Sequence, residues 1–177
     1  MLLSYLELMK LVDEGVIQNV DKSQVNAASI DVRLGGYVLR EVMAHPTSVV
    51  SLADRDQLMT AQCSYPYMLE PNEFILASTM EVFNLPNDIS AQFQLKSSGA
   101  RMALEHLKAG WCDAGWHGSV LTMELKNMSR YHRIRLDEGA KIGQLVFFRH
   151  TPVPDEGSYA TKGSYNKDKQ VSATKKR

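Results

Sequence analysis

Cysteine is scarce in this chain, and several other features that define function classes are absent. Only two cysteines, Cys63 and Cys112, occur among 177 residues, so we expect no disulfide framework and a reducing, cytoplasmic setting. No apolar run reaches the roughly 18 residues that span a bilayer, and the charges within residues 1–17 argue against a secretory signal. Positive and negative side chains number 20 each, which argues against nucleic-acid or membrane binding by the surface as a whole.

The signatures of several large enzyme classes are also missing. The chain has no Walker phosphate loop, no Gly-x-Gly-x-x-Gly fingerprint and no Gly-x-Ser-x-Gly nucleophile elbow. Its five histidines fit no metal-ligand spacing, and the His-x-Glu and Pro-Cys-x-x-Cys signature of the zinc nucleobase deaminases is absent. We therefore expect no zinc and no metal held by the protein.

Apolar periodicity predicts one short helix followed by many short strands. The helix is expected over residues 2–14, a strand over 29–34 that meets a turn at Gly35-Gly36, and a second strand over 37–42. Another short helix is expected within 97–107. The remaining predicted strands cover 68–73, 74–79, 89–95, 119–127, 131–136 and 142–149. This pattern is typical of a mainly β barrel or jelly-roll body.

The composition changes at Pro152, where Gly, Ser, Lys and Pro replace apolar residues. We predict a single β domain over residues 1–151 and a mobile arm over 152–177. A lysine-rich end is by default solvated. Its tyrosines, Tyr159 and Tyr165, equally suit closure over a triphosphate.

The most informative stretch is 109–127, where a turn of small residues leads into a strand. Asp113 and the aromatic plate of Trp116 suit a sugar ring, although Asp113 also suits a turn bond to its own backbone and tryptophans are more often core residues. Glu124 is a lone carboxylate among apolar neighbours, and desolvation allows such a group to exchange protons near neutral pH. The alternation gives equal weight to Glu124 facing solvent and facing a cleft.

A second candidate segment, Lys96-Ser97-Ser98-Gly99-Ala100-Arg101, follows a predicted strand and opens a predicted helix. Its hydroxyls, its cations and the amides of a helix start suit phosphate oxygens. The simpler alternative, favoured for the segment taken alone, is that Ser97 or Ser98 caps the helix. Both can hold, because a cap position also attracts anions.

Several motifs in a fixed order resemble the dCTP deaminase and dUTPase superfamily, and its dCTP deaminase branch in particular. The similar segments are 29–35, 96–101, 109–116 and 139–145. Glu124, within Leu-Thr-Met-Glu-Leu, is similar to a glutamate that the deaminase branch carries after its hairpin and that plain dUTPases generally lack. Lys96 stands where the family usually has arginine.

The resemblance implies a distorted jelly-roll or β-clip body like that of dUTPases, assembled as a homotrimer with shared active sites. It implies hydrolysis of dCTP, or of a related deoxynucleoside triphosphate, to dUTP and ammonia, which supplies dUTP or dUMP for thymidylate synthesis. The alternatives are a bifunctional enzyme that continues to dUMP and pyrophosphate, which Ala109-Gly110-Trp111 favours, and a nucleotide-sensing module without turnover. Mg²⁺ would arrive on the triphosphate.

The same resemblance implies residue roles. Glu124 would move protons from a water to the ring and the leaving amine, Ser97 and the Ala109 carbonyl would hold that water, and Arg101 would support the charge. Asp113 would bind the sugar 3′-hydroxyl and Trp116 would exclude a 2′-hydroxyl. The implied phosphate contacts are Lys96, Ser98, Gln144, Tyr159 and Tyr165.

Overall fold

Antiparallel pairing organises the computed structural model, which describes residues 1–43, 45 and 48–175. Its helices are α1 (Tyr5–Asp13), α2 (Ser97–Arg101) and α3 (Tyr159–Lys162), with 3₁₀ turns at Lys22–Gln24 and Asp155–Gly157. Its strands are β1 (Ile17–Gln18), β2 (Ile30–Glu41), β3 (Thr60–Cys63), β4 (Tyr67–Leu69), β5 (Phe74–Asn84), β6 (Ile89–Leu95), β7 (Leu104–His106), β8 (Trp111–Cys112), β9 (His117–Asn127), β10 (Ile134–Leu136) and β11 (Lys141–Arg149). The predicted mainly β class is confirmed.

The main sheet follows the order β7-β9-β5-β2-β11-β6-β8, with β1 beside β5 and β3 beside β2, while β10 and β4 form a separate pair. Alternation divides β9 into two faces, as the sequence predicts. Leu121, Met123 and Leu125 are buried in the core, whereas Thr122 and Glu124 are only half-buried. The second face of β9 is the one that carries the candidate site.

Helix α1 begins after Ser4, three residues later than predicted. The Ser4 N–H donates to Glu7 Oε2 at 3.0 Å and completes a capping box. Residues 1–3 instead run beside β11, where the Leu3 N–H donates to the Phe147 carbonyl at 2.9 Å. With nine residues, α1 is the longest helix in the described part of the chain, and none there has the length and apolar composition to cross a membrane.

The Gly35-Gly36 pair forms a bulge rather than the predicted turn. Strand β2 runs unbroken past both glycines, and its pairing with β5 shifts register between Gly35 and Leu39. Gly36 has a φ of 70°, and a Cβ on Gly35 would lie 2.6 Å from Met80 Cγ on β5. Glycine is therefore required here because two strands approach closely while one of them bends.

The predicted helix within 97–107 is wrong for its second half. After α2 ends, Ala103 adopts a left-handed φ of 62° and redirects the chain. Strand β7 then pairs with the edge of β9, with His106 opposite Leu125. Pairing with an open sheet edge outweighs the helical preference of this alanine-containing segment.

The described part of the predicted arm lies along β9. The Val120 N–H donates to the Asp168 carbonyl at 2.8 Å, and the Trp116 indole N–H donates to the Tyr165 carbonyl at 2.8 Å. Val171 is buried. The last two residues of the arm lie outside the described residues, and its mobility remains a prediction.

Candidate active site

A cavity of about 380 Å³ lies between β5, β9, the segment around β8 and the arm. This volume is within the range of small-molecule sites. Its acidic side chains are Asp113, Glu124 and Asp168, and among the described residues no lysine, arginine or histidine lines it. The predicted site residues that the cavity brings together are Ala109, Asp113, Trp116, Glu124, Tyr159 and Tyr165.

Glu124 faces this cavity rather than open solvent. It pairs across the sheet with Leu76 of β5, which also lines the cavity. His106 Nε2 lies 3.4 Å from Glu124 Oε2, within ion-pair range, yet the geometry makes no hydrogen bond and both buried atoms lack a hydrogen-bond partner in the described structure. A buried polar atom without a partner is costly unless a water or a ligand completes it. This pair of atoms is therefore suited to hold a polar molecule.

His106 presents an N–H to Glu124. The Lys108 backbone N–H donates to His106 Nδ1 at 3.2 Å, so the neutral imidazole carries its proton on Nε2. The ring packs against Phe93 with the centroids 4.7 Å apart. His106 is not among the residues predicted from sequence, because metal-ligand spacing among the histidines gives no indication of it. The available signal was the apolar alternation around it, which also fits a strand beside β9.

The two tryptophans have different surroundings. Trp116 is buried and stacks on Phe83 with the ring centroids 5.5 Å apart, so it belongs to the core and also forms cavity wall. Trp111 is 56% exposed, and its Nε1–H donates to Asp113 Oδ1 at 2.8 Å. The Asp113 carboxylate thus bonds an indole rather than its own backbone.

The arm closes one side of the cavity. Tyr159 and Tyr165 lie on the wall, and burial is the main cause that raises the pKa of Tyr159 above its usual 10.0. Gly115 has a φ of 86°, and a Cβ there would lie 1.9 Å from Ser158 Oγ of the arm. Only glycine at position 115 therefore allows this close approach of the arm.

A cationic cluster surrounds Asp31, away from the cavity wall. Lys96 Nζ lies 2.7 Å from Asp31 Oδ1 and Lys141 Nζ lies 3.0 Å from Oδ2. Burial acts to raise the pKa of Asp31, but hydrogen bonds from Lys96, Lys141 and Asn26 outweigh it and hold this pKa below the usual 3.8. Two ammonium groups share one carboxylate, so the cluster retains a positive charge suited to an anion.

The remaining predicted site residues also lie outside the cavity wall. Ser97, Ser98 and Arg101 are exposed on α2, and Gln144 lies on β11. The N-cap of α2 is Lys96, and in the described chain no side chain caps this helix, so the capping alternative for Ser97 or Ser98 is wrong. Within one chain, the predicted site residues therefore lie in two separate groups, one on the cavity wall and one outside it.

Comparisons with known proteins point to one family. A family model described as dCTP deaminase-like matches residues 2–150. The protein named dCTP deaminase, dUMP-forming, from Streptomyces avermitilis is 39% identical over 84% of this chain and 80% of its own length. Its namesake from Streptomyces coelicolor is 38% identical over 91% of this chain and 86% of its own length.

A solved structure shares the fold. The crystal structure of 2′-deoxycytidine 5′-triphosphate deaminase from Agrobacterium tumefaciens has a TM-score of 0.66 at 23% identity, over 88% of this chain and 50% of that one. This chain thus spans half of that longer chain. The predicted resemblance to the superfamily is confirmed by the family model and by the two relatives. The chain belongs to the dCTP deaminase-like family.

Proposed function

We propose that this chain converts dCTP into dUMP, ammonia and pyrophosphate. The observation that carries the proposal is a buried Glu124 carboxylate oxygen without a hydrogen-bond partner among the described residues, on a cavity wall shared with Asp113. The names of the two relatives, dCTP deaminase, dUMP-forming, support the bifunctional alternative over the expected release of dUTP as the final product.

Deamination proceeds through water addition at C4 of the cytosine. Glu124 takes a proton from the water as its oxygen bonds to C4, and delivers that proton to the ring nitrogen N3. Glu124 then moves the remaining hydroxyl proton to the amine, the C4–N bond breaks, a C4=O bond forms and ammonia leaves. Ser97 and the Ala109 carbonyl hold the water, and Arg101 supports Glu124 and the developing charge. The step uses no zinc.

The rest of the nucleotide is bound by its sugar and phosphates. Asp113 accepts a hydrogen bond from the 3′-hydroxyl, and Trp116 occupies the space that a 2′-hydroxyl needs. Mg²⁺ enters with the triphosphate as part of the substrate. In the second hydrolysis, water attacks the α-phosphorus and gives up a proton to solvent, the bond between the α-phosphorus and the oxygen that bridges it to the β-phosphorus breaks, and pyrophosphate leaves. The proposed phosphate contacts are Lys96, Ser98, Gln144, Tyr159 and Tyr165.

A homotrimer completes the site. The cavity wall carries three carboxylates and, in the described chain, no basic side chain, whereas a triphosphate needs cations. Ser97 and Arg101 are exposed outside that wall, so α2 of a neighbouring subunit supplies them to the cavity. Active sites between identical subunits require such a separation of one chain into two complementary faces.

The variant Glu124→Gln tests the chemistry. Wild-type protein is expected to release ammonia from dCTP and to form dUMP and pyrophosphate. In the variant, ammonia release falls by about 10²- to 10⁴-fold, the usual contribution of a positioned acid–base group, while dCTP affinity measured by calorimetry changes little because the substitution keeps the shape. Undiminished ammonia release would contradict the mechanism. Accumulation of dUTP would refute the second hydrolysis, and binding by the wild type without turnover would favour a sensing module.

Mixed oligomers test the shared site. Chains carrying Glu124→Gln and chains carrying Arg101→Ala are each expected to be inactive, and coexpression is expected to restore about a quarter of wild-type activity, because one in four random subunit contacts pairs an intact Glu124 with an intact Arg101. Failure to recover activity in oligomers shown to be mixed would contradict the shared site.

A further inference from the structure

Within the described chain, the indole of Trp111 is the one group that donates a hydrogen bond to the side chain of Asp113. Its Nε1–H donates to Asp113 Oδ1 at 2.8 Å. Trp111 opens the two-residue strand β8, and Asp113 follows that strand directly. Cys112, between them, points into the core and is 4% exposed. Trp111 and Asp113 are thus the exposed residues on either side of buried Cys112, and the indole reaches the carboxylate on that exposed side.

The Trp111 ring is held without being buried. It stacks on Phe148 with the centroids 6.1 Å apart and an interplanar angle of 30°, and it lines the cavity. More than half of its surface remains exposed, so stacking on Phe148 rather than burial holds the ring. The stacking fixes the ring plane, and the ring plane fixes the direction of the N–H.

We propose that Trp111 is a positioning residue that orients Asp113 toward the sugar of the nucleotide. This inference rests on the proposed function. An indole N–H is a donor only, so it occupies Oδ1 of the carboxylate, and Oδ2 is left to accept the 3′-hydroxyl. Because Asp113 is exposed, its carboxylate would otherwise rotate among several orientations, and binding would have to restrict that motion.

The test compares two nucleotides that differ in one hydroxyl. Trp111→Phe keeps a ring that can stack on Phe148 and removes the donor. With dCTP we expect affinity to fall by about fivefold, the loss typical of one hydrogen bond, whereas with 2′,3′-dideoxycytidine triphosphate the change stays within about twofold, because the group that Asp113 binds is absent. Affinities are measured by calorimetry in the Glu124→Gln background, where the nucleotide stays intact.

Two controls separate positioning from general damage. Trp116→Phe removes the other indole N–H, which donates to the arm at Tyr165, and we expect it to affect both nucleotides equally. In an Asp113→Ala background, Trp111→Phe is expected to have no further effect on dCTP affinity. Equal weakening of both nucleotides by Trp111→Phe, or no weakening of dCTP, would overturn the role of Trp111 alone. Absence of ammonia release from dCTP by the wild type would overturn the proposed function instead.

Discussion

Replacing His106 tests whether its ring sets the direction of Glu124. The imidazole of His106 faces the Lys108 N–H with Nδ1 and Glu124 with Nε2, and each of two substitutions keeps a polar group at only one of these positions. His106→Asn keeps an acceptor near the Lys108 N–H but is too short to reach Glu124. His106→Gln keeps a donor on the Glu124 side and gives up the acceptor. Both lose the ring contact with Phe93, so we expect both to reduce the free energy of unfolding by about 1–3 kcal/mol.

The size of the catalytic effect follows from the geometry around Glu124. His106 Nε2 and Glu124 Oε2 lie 3.4 Å apart without hydrogen-bond geometry, so we expect the bond that orients Glu124 to tighten when substrate binds. We assign that bond the lower end of the range for hydrogen bonds to a charged group, about 1.5 kcal/mol. That free energy corresponds to a loss of about tenfold in kcat/KM for His106→Asn. For His106→Gln we expect a loss within about threefold, because a donor remains.

The assay is ammonia release from dCTP, with thermal unfolding of each variant as the control for folding. Because both substitutions remove the same packing, a purely structural role for His106 predicts equal losses of activity. Equal losses in the two variants would therefore refute the positioning of Glu124 by His106.

Two further predictions concern stability and the seat of the arm. Between the lowered pKa of Asp31 and its usual 3.8, the unfolded chain binds more protons than the folded one, so the wild type loses stability as the pH falls below about 4. Asp31→Asn should have a lower free energy of unfolding at neutral pH, and that free energy, measured by urea unfolding, should depend less on pH over this range. A pH dependence as steep as that of the wild type would contradict the lowered pKa of Asp31. Gly115→Ala should expel the arm, because its Cβ would lie 1.9 Å from Ser158 Oγ, and thereby expose the arm to limited proteolysis. Gly139→Ala is the control, because Gly139 also has a left-handed φ, of 78°, but a Cβ there would meet nothing within 4 Å. Faster cleavage of the arm in both variants would show that backbone strain, rather than the clash with Ser158, is responsible.

Features that depend on neighbouring residues, such as the faces of β9 and the bounds of β6, were predicted from the sequence. The alternation of β9 separates core residues from the face that carries Glu124, and β6 has the predicted bounds because turn-forming residues precede it. Gly35-Gly36 misled the prediction because the same residues fit a turn and a bulge, and only the approach of Met80 on β5 distinguishes the two.

The candidate site was less accessible from sequence, because its contacts join distant strands. His106 reaches Glu124 only through the pairing of β7 with β9. The pairing of Lys96 with Asp31 likewise depends on which strands become neighbours. Asp113 was identified from the sequence, but its bond to Trp111 depends on the orientation of an exposed ring, which composition does not determine.

The arm contributes mostly main-chain groups to its contacts with β9. The Val120 N–H donates to the Asp168 carbonyl, and the Lys167 N–H donates to the His117 carbonyl. Such bonds require a backbone at a given place and make little demand on the side chain attached to it. Because the arm docks through its main chain, we expect substitutions of arm side chains that line the cavity, such as Tyr159 and Tyr165, to change the cavity wall while the arm stays in place on β9.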